Sequence, residues 1–218
     1  MIKWLVARWW AVAAWLAVLF GMKQRALELY EQIVALEPGN AKARATVGNL
    51  QAEVGDRRGA IASFVELVAR HPDDAEAWFN LGFLYEGGDE LERAERAFRR
   101  AIALQDSLDR AWYGLALVLI RLGRLEEAIP VLKKNTELQP FSPYGFYQLG
   151  MTYHHLGRSG DASRTVETLK KFEPRYAATL KRDIENTPAR GNAPGAAPAA
   201  APNSTLHRLG KEAIASPI

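Results

Sequence analysis

Residues 77–85 read Ala-Trp-Phe-Asn-Leu-Gly-Phe-Leu-Tyr, and Ala94, Phe98 and Ala101 follow them. Thirty-four residues later the pattern returns as Ala111-Trp112-Tyr113-Gly114-Leu115-Ala116, with Ala128, Leu132 and Pro140 behind it. A further unit carries Phe146, Leu149, Gly150, Tyr153, Ala162 and Pro174, and an earlier, looser one carries Val47, Gly48, Ala60, Phe64 and Pro72. The same 34-residue step runs through Ala26, Ala60, Ala94, Ala128 and Ala162, and a bulky apolar residue stands four places after each of them. Small residues recur at Gly48, Gly82, Ala116 and Gly150, and turn residues at Gly21, Gly55, Asp89, Gly123 and Gly157. Prolines mark the boundaries at Pro38, Pro72, Pro140 and Pro174, with Asp106 on the missing rung. Registers that agree on one step define an internal repeat.

Steric and backbone chemistry explain the spacing. Two helices of one unit cross closely only where a small residue lets the backbones approach, as at Gly82 and Ala94, and a bulky residue one turn later, such as Phe98, fills the groove toward the next unit. A residue tolerant of left-handed backbone angles turns the chain between helices, and proline ends the second helix. A single unit leaves an apolar face bare, so the units must stack.

These residues together resemble the tetratricopeptide repeat (TPR) over roughly residues 23–176, about 70% of the chain. The resemblance implies an all-α solenoid of about four helix-turn-helix repeats whose first helices line a concave groove that grips extended peptides or partner helices. It places Lys42, Ala45, Asn49, Glu76, Phe79, Asn80 and Phe83 on that groove in the earlier repeats. It places Arg110, Tyr113, Leu117, Tyr144, Tyr147 and Met151 there in the later ones. Aromatic rings on such a wall are anchor sites for apolar or proline-rich side chains, and Asn49 and Asn80 can hydrogen-bond a peptide backbone. A narrower implication is a clamp for a C-terminal carboxylate. Asn49, Asn80 and Arg110 match three of its five places, but Ala45 and Gly114 stand where basic residues are needed.

Composition removes other classes. The chain has 218 residues and no cysteine, which excludes disulfides, thiolate metal sites and a thiol nucleophile. Between Lys23 and Glu185 there are 23 basic and 24 acidic residues, so the formal charge of +3 comes from the chain ends. A body with interleaved signs offers no field for nucleic acid. The four histidines include one adjacent pair, His154-His155, whose rings diverge on a helix and cannot chelate one ion together. Acidic pairs at Asp73-Asp74 and Glu126-Glu127 suit helix starts. No enzyme activity, cofactor, metal or small-molecule substrate is expected.

Two zones flank the repeats. Residues 1–22 are apolar on every side and hold four of the six tryptophans. From Ile2 to Met22 a helix would reach about 31 Å, one hydrocarbon thickness. The stretch reads as an uncleaved single-pass membrane anchor that replaces or merges into the first helix of the opening repeat; a cleaved targeting segment and a buried helix are the alternatives. Lys3 and Arg8 before it, against Lys23 and Arg25 after it, lean toward an exported body. Residues 23–185 form the repeat body, with Arg175–Glu185 as a charged helix capping its open end. Residues 186–218 are Pro/Ala-rich and expected to be disordered. The expected function is a membrane-anchored scaffold that binds a protein or peptide partner in the groove; the alternative is a soluble or exported adaptor or assembly factor lacking the first zone.

Overall fold

The structure is a computed structural model that describes residues 2–188, with side chains from Trp9 onward. The described residues contain eleven α-helices and no strand. They divide into two units between Asp89 and Glu90. The first unit holds α1 (Ile2–Leu19), α2 (Lys23–Leu36), α3 (Ala41–Glu53), α4 (Arg57–Arg70) and α5 (Ala75–Gly87). The second holds α6 (Leu91–Leu104), α7 (Asp109–Arg121), α8 (Leu125–Leu138), α9 (Pro143–His155), α10 (Ser159–Lys170) and α11 (Pro174–Asn186).

The repeating registers become the core. Ala26, Ala60, Ala94, Ala128 and Ala162 are all buried, and so are Phe64, Phe98 and Leu132 one turn later. The Phe64 ring lies over Gly48 so closely that a Cβ there would sit 2.6 Å from it. Phe98 covers Gly114 of α7 in the same way, at 2.6 Å. Removing the side chain on one helix is what admits a ring from the other.

The turns keep the period in their backbone angles. Gly21, Gly55, Asp89, Gly123 and Gly157 all have positive φ, between 64° and 92°. After each of the four glycines the next N–H bonds the carbonyl five residues back, as in Arg124 to Leu119 and Asp56 to Gln51. This closure satisfies the end of the first helix and points the chain into the second.

The missing proline rung also has a structural answer. The indole of Trp78 donates to the Pro72 carbonyl at 3.1 Å, and that of Trp112 donates to the Asp106 carbonyl at 2.7 Å. Arg44, one step earlier, donates from its guanidinium to the Pro38 carbonyl at 3.2 Å. The acceptor is backbone in each case, so the contact survives when proline gives way to aspartate.

The first zone requires a correction. No helix among the described residues is long and apolar enough to cross a membrane. The single-pass anchor through residues 2–22 is therefore overturned, and with it the lean toward an exported body, because that topology argument needs a span. α1 is instead the first helix of an opening pair with α2. Ala14 and Ala17 are buried, and Trp10, Ala13 and Ala14 pack with Leu29 and Ile33. Ala14 stands 34 residues before Gly48, on the small-residue register. The tail expected from residue 186 lies, beyond 188, outside the described residues.

Candidate functional site

The groove positions fall on the first helices of the pairs, and burial separates them into two kinds. Asn49, Phe83, Leu117 and Met151 share one 34-residue register, and all four are half-buried. Phe79 and Tyr113, on a neighbouring register, are only 2% and 3% exposed. Sequence spacing put these two rings on the groove, whereas they are packing residues with no surface to offer a partner. The hydroxyl of Tyr113 is hydrogen-bonded by the Gln148 side chain, and burial drives its pKa far above the ordinary phenol value.

In the first unit, α3 supplies Asn49 and half-buried Ala45, with Lys42 exposed beside them. α5 supplies half-buried Asn80 and Phe83 and the exposed Glu76. Each helix is started by a side chain that accepts from its third residue: Asn40 from Ala43 and Asp74 from Ala77, both at 2.9 Å.

In the second unit the wall is more organised. Arg110 and Leu117 on α7 are half-buried, as are Tyr144, Tyr147 and Met151 on α9. α11 fixes two of the tyrosines. Tyr176 meets Tyr144 edge to face, with centroids 5.7 Å apart and planes at 86°. Tyr147 donates its hydroxyl proton to Asp183 at 2.7 Å. Tyr147 and Met151 also pack against the cluster of Leu169, Ala177 and Leu180, so α11 bears on the wall as well as on α10.

Asp183 and Tyr176 were not among the groove residues read from sequence. A signal for them existed: Trp78, Trp112, Phe146 and Leu180 form a 34-residue series that makes α11 one more first helix. Leu180 packs against Gly150, where a Cβ would come within 2.6 Å of it.

The carboxylate clamp has no room to form. Gly114 lies under Phe98, so no basic side chain fits at that place, and Ala45 offers no charge at the other. His154 is buried with its Nε2 2.7 Å from the Thr187 carbonyl, a packing role. Among the described residues no three His, Asp or Glu side chains converge as a metal site.

Residues 47–107 and 84–143 match the tetratricopeptide repeat family. The fold is of TPR type. Solved structures agree with the assignment. MamA superposes with a TM-score of 0.68 at 23% identity, covering 78% of this chain and 95% of that one. MamA from residue 41 onward, from Desulfovibrio magneticus RS-1, gives 0.68 at 20% identity, covering 82% and 96%. YrrB, described as a TPR protein with an unusual peptide-binding site, gives 0.67 at 22% identity, covering 78% and 88%. At these identities the likeness establishes the TPR fold. Among curated protein sequences, none matches the chain.

Proposed function

We propose that this TPR chain is an adaptor that binds a protein or peptide partner, with no chemistry assigned to it. The observation that carries the reading is the wall of the second unit. Tyr144 and Tyr147 stay partly open to solvent while Tyr176 and Asp183 hold their rings in place. Aromatic side chains immobilised before binding lose little entropy when a partner arrives, which is the property of an anchor residue. Leu117 and Met151 add apolar surface beside them, and Arg110 adds a cation at the edge. Asn49, Asn80 and Phe83 offer amide and aromatic groups at the corresponding positions of the first unit. YrrB, a protein of the same fold, carries a peptide-binding site, which supports a similar use here.

The test is selection of ligands from a displayed library of random peptides on the full chain, followed by affinity measurement on variants. Tyr144→Ala with Leu117→Asp should weaken the selected peptides at least tenfold while helical content is unchanged. Equal affinity in the variant would sink the proposed wall. Phe79 and Tyr113 are unsuitable probes, since truncating a buried ring leaves a cavity and costs about 3–5 kcal/mol of stability on its own.

A further inference from the structure

α1 is apolar on two opposite sides, and only one of them is used. Trp10, Ala13, Ala14 and Ala17 meet α2. Around the other side Trp9 is 73% exposed, Trp15 57% and Phe20 71%, with Val12, Leu16 and Leu19 also exposed between them. In the other first helices the preceding helix covers part of this side. Ala43 and Leu50, on the registers of Trp9 and Leu16, pack with residues of α2, the helix before them. Gly114, on the register of Val12, lies beneath Phe98 of the preceding α6. Those docking positions are filled by small or medium side chains, whereas α1 places a tryptophan, Trp9, on one of them; Trp15 continues the half-buried series of Asn49, Phe83, Leu117 and Met151.

We infer that this face seats α1 of a second copy of the chain, the two helices running antiparallel. The exposed side chains from Trp9 to Phe20 present about 700 Å² of apolar surface, close to the ~800 Å² that each partner contributes to a stable interface. A contiguous patch of this size exceeds what a soluble monomer usually leaves bare. The helix dipoles fix the direction. A parallel pair would set the two α1 dipoles side by side; an antiparallel pair opposes them. The face is identical in both copies, so the contact closes on itself as a two-fold dimer.

Sedimentation of the full chain tests this, since one copy weighs 24.2 kDa. The expected mass at high micromolar concentration is that of two copies. Trp15→Glu with Leu19→Glu should return it to one copy with unchanged helical content, because both side chains point out of the fold. A single-copy wild-type chain, or a pair that persists in the folded double variant, would overturn the inference. Because the chain lacks cysteine, Val12→Cys provides an arm that leaves the remaining side chains intact. A bismaleimide should join two copies through that residue but not through Ser163→Cys on the exposed side of α10. Failure of the Val12→Cys link overturns the pairing, as does a single-copy chain that binds vesicles of phosphatidylcholine and phosphatidylglycerol through Trp15.

Discussion

The phenol of Tyr147 ties α9 to α11 through one proton. Burial first, and then the hydrogen bond to Asp183, push its pKa up to about 12. The folded state thus holds this proton more tightly than the unfolded chain, whose phenols ionise near 10. Its stabilising contribution is complete below about pH 10 and disappears as the pH climbs from there to about 12. Subtracting the alkaline absorbance titration of Tyr147→Phe from that of the wild type should show a phenol ionising late. Asp183→Asn should bring that ionisation to lower pH; a midpoint at the ordinary phenol value in the wild type would contradict the contact. Spacing assigned Tyr147 to the expected wall by direction alone and carried no information on depth. Phe79 and Tyr113 share its register and differ from it by being sunk in the core. A register reports which way a side chain leaves its helix, and the neighbours decide how far it then travels before meeting solvent.

At the scale of single helices, α8 holds the clearest conflict between local preference and packing. Pro130 lies inside it and is exposed, and its ring nitrogen cannot donate to the Glu126 carbonyl one turn back. The helix persists because Ala128, Ile129, Val131 and Leu132 are buried on both sides of the proline. Pro130→Ala should therefore stabilise the chain by about 2–3 kcal/mol, read as a higher denaturant midpoint with the slope unchanged. The existence and order of the helices from α2 to α11 were legible in the 34-residue step, as were the left-handed turns. The role of α1 was not legible from its composition. A helix that packs one apolar side and bares the other has the same all-round hydrophobicity as one surrounded by lipid. The register was more informative than the composition: stepping back from Gly48 reaches Ala14, and stepping back from Trp78 through Arg44 reaches Trp10.

Across the whole chain, two units built on a common step differ in how they secure their helices. The first unit starts α3, α4 and α5 with side-chain caps from Asn40, Asp56 and Asp74. The second links its elements through charge and buried amides. Arg124 bridges Glu95 of α6 and Glu127 of α8 at 2.7 and 2.6 Å, and Arg99 joins the same two carboxylates. Asn135 is buried and donates to the Asp109 carbonyl at 3.0 Å, and its carbonyl oxygen fills the space that a Cβ on Gly145 would need. Asn135 occupies the register of Ala101, and Gly145 that of Ala111. The α6–α7 contact, with Phe98 on Gly114, and the α8–α9 contact, with Asn135 on Gly145, therefore each have their own complementary shape.

That individuality gives every repeat an address. Excising residues 109–142 removes one whole period and would leave the turn rhythm intact, so by periodicity alone the shortened chain ought to fold as before. It would, however, bring Phe98 onto Gln148 in place of Gly114 and set Ala101 where Asn135 had met Gly145. The excised chain should melt well below the parent, and Gln148→Gly should recover much of the loss, with thermal unfolding followed by circular dichroism as the measure. Equal melting of parent and excised chain would mean that the modules are interchangeable after all. If the loss is seen, gene duplication could lengthen such an array freely only at the moment of copying. Afterwards each joint drifts into a private fit, and reshuffling the order becomes as disruptive as a mutation in the core.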